Sequence, residues 1–222
     1  DETGRADRPP GLFDEITVRY TNHQLFEERA LSEDIREQLR ECAAEDDVTL
    51  HLVDDPDRKQ SIAEFQAEAD RRQMDNPAYR KELAQWIGIG ALGDSWLKAR
   101  IGQTVVTYLN VGDSEARKNS KLVTSAPVVG VLATDSDDPA ARVRTGQTFE
   151  RVALAAAVRG VVTQPMSQIL DRPAMRDELA DSLDGDDTRP QHLFRLGYPT
   201  DEQGHTPRWP LESFLRESAT HR

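Results

Sequence analysis

The sequence predicts an α+β fold. Long segments with helical spacing of apolar residues alternate with a few short, separated segments that are rich in β-branched residues, and no internal repeat is visible. A chain of 222 residues is long enough for one medium-sized domain, or two very small ones, with a real hydrophobic core. Together these observations favour a sheet packed against helices.

The first part of the chain is predicted to hold several helices and one strand. After a flexible lead-in at residues 1–11, a short helix is expected over residues 12–18. Ser32 is a good N-cap. Apolar residues recur at helical spacing after it, so a helix is expected to run to Cys42. The segment VTLHLV, residues 48–53, alternates and is rich in β-branched residues, which predicts a strand.

A long polar helix is expected to follow this strand. Pro77 should interrupt or restart it, and a second helical stretch should run on to Trp86. Residues 95–109 carry apolar side chains on most sides, which predicts a mostly buried helix.

The second part of the chain alternates between strands and helices. Residues 126–133, APVVGVLA, are almost all apolar, as expected of a strand covered on both faces. A long amphipathic helix over residues 137–159 should end at Gly160. Pro173 should begin a helix that runs to Leu183. Residues 191–198 are predicted to form the last strong strand, and residues 210–216 a terminal helix.

The chain is strongly acidic and poor in lysine. Forty acidic and 28 basic residues give a net charge of −12. Nucleic-acid binding depends on Lys and Arg that neutralise phosphates, so no nucleic-acid partner is expected. The acidic clusters at predicted turns fit either a surface adapted to a very salty cytoplasm or an ordinary acidic, Arg-preferring protein.

Several other classes of protein are not expected. No stretch reaches the roughly 20 apolar residues that span a bilayer, and the charged, Pro-rich start does not resemble a signal peptide. We therefore expect a cytoplasmic protein without a membrane partner. The single cysteine, Cys42, lies among acidic residues in a helical run and is interpreted as structural. No catalytic side chain and no metal site is predicted.

Three segments could together form a binding site. In RYTNH, residues 19–23, alternate side chains of an extended strand would present a guanidinium and a hydroxyl to a phosphate dianion. In TQPM, residues 163–166, a backbone N–H could donate to a flavin ring nitrogen and Gln164 could reach an imide edge. Arg208 could close on the same phosphate from the other direction. A solvated loop is the alternative interpretation of each of the first two segments.

The order and spacing of these segments resemble the FMN-dependent nitroreductase family. The matching sequence segments are IxxRYTN, SAPVVGVLATDSD, TGQTFERVALAAAVRGVVTQPM, FRLGYP and TPRWPLE, which together span nearly the whole chain. The block from Gly146 to Met166 and the GYP…PR ending are fairly specific, whereas RYTN is not. Within the family, RYTN and QPMSQ are more similar to the Acg-type branch than to other members. Members of that branch resemble two fused nitroreductase halves and are associated with holding flavin rather than with fast reduction.

This resemblance implies a nitroreductase-like fold with a central, mostly antiparallel sheet flanked by helices. Residues 12–222 would form a single FMN-binding domain with a dimer-type architecture, either as a homodimer or with a second nitroreductase-like half. NADH or NADPH would be the reductant, and an oxidised nitro- or quinone-like molecule the acceptor. The residues implied on the FMN phosphate are Arg19, Thr21 and Arg208, and those beside the isoalloxazine ring are Thr163, Gln164, Pro165 and Met166.

Two departures from the family pattern bear on activity. Many members have a second basic residue where this chain has His23, which would be a weaker and pH-dependent phosphate partner. The usual PSxxNxQPW segment before the first strand is replaced by CAAEDDVTL. The family uses that segment at the flavin ring and the substrate face. Three hypotheses therefore stand: an FMN oxidoreductase, a flavin-storing or flavin-sensing protein with little turnover, and a relative that has lost the cofactor.

Overall fold

The computed structural model describes residues 11–44, 48–89, 111–183, 188–201, 210–213 and 215. The chain divides into two compact units, residues 1–76 with 110–203 and residues 77–109 with 204–222. In chain order the helices are α1 (Leu12–Glu15), α2 (Glu33–Ala43), α3 (Pro56–Asp75), α4 (Pro77–Gly88), α5 (Gly112–Thr124), α6 (Pro139–Val158) and α7 (Pro173–Asp181). The strands are β1 (Val48–Val53), β2 (Val128–Thr134), β3 (Val162–Pro165) and β4 (Arg189–Gly197). Short 3-10 helices span Ser167–Asp171 and Leu211–Ser213. The second unit contains α4 and the last 3-10 helix.

One four-stranded sheet organises the first unit. Its strand order is β1-β2-β4-β3, and each neighbouring pair is antiparallel. Every residue of β2 is buried, as the unbroken apolar run predicted for a strand covered on both faces. The predicted α+β class with an antiparallel sheet flanked by helices is therefore confirmed.

The two longest helices among the described residues begin with the same capping arrangement. Asp55 and Asp138 are the N-caps of α3 and α6, and each side chain accepts a hydrogen bond from the backbone N–H three residues later. A proline occupies the first turn of both helices, where no N–H is needed. Gly160 has a φ of 69° just after α6, so it ends that helix as the sequence predicts.

The core lies on both faces of the sheet. Along β2 the side chains alternate, so that Val128 and Leu132 join a cluster with α2 and α6 while Val129 and Val131 join a cluster with α3 and α7. Gly130 faces Phe194 across the β2–β4 pair, and a Cβ at Gly130 would lie 2.6 Å from the ring. The glycine therefore makes room for the largest apolar side chain of β4.

Some element predictions need correction. The first helix ends at Glu15 rather than Val18, since the β-branched run from Ile16 to Val18 is exposed and gains no packing. The sequence did not predict α5, because its buried residues are few and its other face is polar. Residues 162–165 form a strand rather than a polar loop. Residues 1–10, 95–109 and 216 lie outside the described residues.

Within the described parts of the chain, every helix is too short or too polar to cross a membrane. The same residues contain no group of three or more His, Cys, Asp or Glu side chains arranged to hold a metal ion.

Candidate functional site

The structure brings together two of the three segments that the sequence singles out. Thr21 forms a parallel β-bridge with Thr163, and the backbone N–H of Asn22 donates to the carbonyl of Thr163 over 3.1 Å. The RYTNH segment therefore lies extended along the outer edge of β3. Within residues 19–23 only Thr21 is assigned to a bridge, and the phosphate cradle stays a prediction.

A fully buried arginine lies beneath this junction. Arg195 in β4 has no exposed surface, and its Nε donates to Gln164 Oε1 over 2.6 Å. Its Nη2 donates to the carbonyls of Asn22, at 3.1 Å, and Gln24, at 2.6 Å. Its guanidinium carbon lies 4.2 Å from the centre of the Phe26 ring. Burial lowers the pKa of Arg195 to about 10, so the side chain is still charged at neutral pH.

The positive charge of Arg195 is stabilised by neutral acceptors. All three of its hydrogen-bond acceptors are amide or peptide oxygens, and its Nη1 is buried with no hydrogen-bond partner among the described residues. A buried charge normally lies beside an opposite one, because desolvation of an ion costs on the order of several kcal/mol. The junction of residues 19–24 with β3 is therefore a place that favours an anionic or acceptor-rich group.

Gln164 connects Arg195 to His23. The Gln164 Nε2 lies 3.1 Å from His23 Nδ1, while its oxygen accepts from Arg195. Partial desolvation of the ring lowers the pKa of His23, and the positive charges of Lys118 and Arg195 lower it further. His23 is thus a neutral, surface-accessible imidazole at physiological pH.

Arg19 faces an acidic side chain on α6. Its Nε lies 3.5 Å from Glu150 Oε1, and the two side chains are 27% and 48% exposed. A half-exposed ion pair of this kind is worth little. An anion of higher charge could replace Glu150 as the partner of Arg19.

The remaining predicted residues have different environments. Thr163 and Met166 are buried, and Met166 packs in the core cluster on the α3 face of the sheet. Pro165 is exposed between them. Arg208 lies outside the described residues, so its contact with a phosphate stays a prediction.

Sequence reasoning missed Arg195 and its neighbour pair Ser167–His192. The available signal was a charged residue inside the apolar run LFRLGY, at a position that a central strand buries. Ser167 Oγ lies 2.9 Å from His192 Nδ1, and the His192 ring packs edge-on against Phe149 at 4.2 Å. Burial lowers the pKa of His192 to about 4, so this pair is a neutral packing contact at the start of the 3-10 helix that follows β3.

Comparison with known proteins rests on structure, since no protein-family model and no curated protein matches the sequence. A nitroreductase with bound FMN from Desulfitobacterium hafniense aligns with a TM-score of 0.62 at 14% identity, over 95% of this chain and 99% of that one. Oxidised iodotyrosine deiodinase bound to FMN and 3-iodo-L-tyrosine aligns with a TM-score of 0.61 at 15% identity, over 95% and 100%. The chain has the nitroreductase-like fold.

A third solved structure also aligns with this chain. The NADPH:FMN oxidoreductase from Vibrio harveyi, complexed with NAD⁺, aligns with a TM-score of 0.57 at 15% identity, over 96% of this chain and 79% of that one. Identities this low establish the nitroreductase-like fold and leave the chemistry of the site to its own residues. The closer assignment to an Acg-type branch stays a prediction.

Proposed function

We propose that the chain binds FMN at the junction of residues 19–24 with β3 and works as a flavin oxidoreductase. The observation that carries the proposal is Arg195, a buried guanidinium with neutral partners, placed directly behind the segment that resembles a phosphate cradle. The structures with the same fold support it, because two are described with bound FMN and one as an NADPH:FMN oxidoreductase.

The donor set of the site fits FMN. Asn22 Nδ2 and Arg195 Nη1 are buried nitrogens without a hydrogen-bond partner among the described residues. FMN offers acceptors throughout, at its phosphate, its ribityl hydroxyls and its ring carbonyls. Buried donors that lack an acceptor each cost about 1–3 kcal/mol, so a ligand rich in acceptors would stabilise this part of the chain.

The protein's own residues would bind and orient the cofactor. Arg19, Thr21 and Arg208 would hold the phosphate, and His23 would add a hydrogen bond. Residues 163–166, with Pro165 exposed, would lie beside the ring. When bound, FMN supplies the electron-transfer chemistry itself, so we propose no side-chain acid or base.

We further propose NADH or NADPH as the reductant and an oxidised nitro- or quinone-like molecule as the acceptor. A second copy of the chain, or a second nitroreductase-like half, would complete the site in a dimer-type arrangement. We also propose that the chain is related to the Acg-type branch of this family.

A second candidate function, flavin storage or sensing with little turnover, is favoured by the segment before β1. There α2 ends at Ala43, with Cys42 and Ala43 buried in the core, and β1 begins at Val48. The chain therefore has little room for the PSxxNxQPW segment that would contribute to the flavin ring and the substrate face.

Two spectra test these proposals in order. Saturation with FMN should give a protein that keeps a flavin absorption band after desalting, and heat should release FMN rather than FAD. Anaerobic addition of NADH or NADPH should then bleach that band. No retained flavin would refute FMN binding, whereas a retained flavin that neither nucleotide bleaches would favour storage over turnover.

A further inference from the structure

We infer that Arg195 is a positioning residue of this site: by orienting Gln164, it holds His23 as a neutral imidazole whose single ring proton is on Nε2. The relay runs from Arg195 Nε through the Gln164 amide to His23 Nδ1. The state of His23 follows from the ligand-free structure alone. Only its consequence for FMN rests on the proposed function.

The first step is the orientation of the Gln164 amide. A guanidinium carries donors only, so the group that faces Arg195 Nε at 2.6 Å has to be the amide oxygen. The amide NH₂ then points the other way, towards His23 Nδ1 at 3.1 Å. Gln164 is only 8% exposed, and a flipped amide would place NH₂ against the guanidinium with no water to separate them.

The second step is the protonation of His23. An amide NH₂ only donates, so Nδ1 has to accept with its lone pair, and the proton of the neutral ring is on Nε2. A protonated ring would set an N–H of His23 against an N–H of Gln164. The nearby charged groups act in the same direction, because Lys118 on α5 and Arg195 on β4 are both cations. On its own segment Arg19 is also a cation, and it faces Glu150 on α6.

Arg195 also fixes the main chain on either side of His23. Its Nη2 contacts the carbonyls of Asn22 and Gln24, the residues that flank the histidine. The Asn22 N–H is in turn bonded to Thr163. One planar guanidinium therefore fixes both the tautomer of the His23 ring, through Gln164, and the position of the backbone on either side of His23. A lysine, which carries a single compact charge, lacks the fork needed to reach three acceptors in these directions.

The consequence concerns how the site would recognise a phosphate. His23 offers it a hydrogen bond and no charge, so the charge of an FMN phosphate has to be met by arginines, Arg19 among them. Protonation of His23 at acidic pH would break the bond from Gln164, because Nδ1 would then carry a proton.

Nitrogen-15 NMR of the histidine side chains in the ligand-free protein tests the inference. His23→Gln assigns the His23 signals by their loss. In the wild type, Nδ1 should resonate as an unprotonated ring nitrogen and Nε2 as a protonated one. Gln164→Glu should reverse this, because a carboxylate only accepts: it would take bonds from both Arg195 and Nδ1–H. The pKa of His23 should then rise by about one unit or more.

Two further variants serve as controls. Gln147→Glu adds the same charge on the exposed face of α6 and should leave both the tautomer and the titration of His23 unchanged. Arg195→Lys keeps the charge and loses the fork, so the His23 ring should become a mixture of tautomers. If Gln164→Glu does not fold, the wild-type spectrum and Arg195→Lys still decide the matter.

The inference is wrong if His23 carries its proton on Nδ1 in the wild type, or if His23 titrates identically in the wild type and Gln164→Glu. A separate titration of each protein with FMN tests the proposed function. Absence of FMN binding together with the expected tautomer would refute the cofactor and leave the relay intact.

Discussion

Replacement of Gly197 by alanine tests how the site segment is held against the sheet. A Cβ at Gly197 would lie 2.5 Å from Cγ of Phe26 and 2.8 Å from its Cβ. The ring cannot simply rotate away, because Phe26 is 5% exposed and its backbone forms a β-bridge with Pro199. Overpacking of this kind typically costs about 1–3 kcal/mol. For a chain of this length that corresponds to a melting temperature lower by about 2–12 °C.

The measurement is thermal and urea unfolding of flavin-free protein, and Gly146→Ala is the matched control. Gly146 lies on the exposed face of α6, with nothing within 4 Å of the position that an added methyl group would take. Alanine there should therefore stabilise the helix by about 0.5–1 kcal/mol.

Combining Gly197→Ala with Phe26→Leu should cost less than the sum of the two single changes, since the smaller side chain relieves the clash. Equal or greater stability of Gly197→Ala would refute the close approach of Phe26 and with it this account of the segment.

Four further predictions concern the ligand and the surface. Arg208→Ala should weaken FMN binding roughly ten- to a hundredfold, since a charge-assisted hydrogen bond is worth about 1.5–3 kcal/mol. Fluorescence titration measures this, and an equal loss of affinity for riboflavin, which lacks the phosphate, would place Arg208 away from the phosphate. Glu150→Gln should strengthen FMN binding by removing the competitor for Arg19, and weaker binding would contradict that competition. A hydrogen bond from Arg176 Nη1 holds the pKa of the Asp137 carboxyl well below its usual range. The Asp137 carboxylate therefore stabilises the fold fully above its unfolded pKa of about 3.9, and this stabilisation is lost as pH falls through its folded pKa. Asp137→Asn should therefore lower the free energy of unfolding at pH 7 by at most about 1 kcal/mol, given its exposure, and urea unfolding at acidic pH should show that difference shrinking. Melting temperature should climb between dilute buffer and molar KCl if the acidic surface is adapted to salt, and a flat curve would leave the ordinary acidic interpretation.

Elements with a strong pattern could be predicted from the sequence. The strand at residues 48–53 has its predicted bounds, and Pro77 and Gly160 mark helix boundaries as expected. The helix α5 was not found this way, because only Gly112, Ala116, Leu122 and Val123 are buried along it, and glycine and alanine give a weak apolar signal. Its stability comes from packing against α3, which is tertiary information.

The candidate site was predictable in outline and not in detail. The sequence indicated that residues 19–23 and 163–166 belong together, and the bridge between Thr21 and Thr163 joins them. The charge inside the apolar run LFRLGY marks Arg195 as unusual but does not indicate its partners, because its contacts with Asn22 and Gln24 reach back more than 170 positions along the chain. Local pattern cannot reveal a hydrogen bond whose partner is that distant.

The order of the strands has a consequence for how the chain folds. Although every pair is antiparallel, none is a tight hairpin: residues 54–127 lie between β1 and β2, and residues 135–188 between β2 and β4. Such distant pairings are slow to form, because long loops have to close before any contact is gained. β4, the last strand among the described residues, joins β2 to β3. A ribosome therefore has to release the chain beyond Gly197 before this sheet can be completed, and until then the edge of β2 that pairs with β4 lacks that strand.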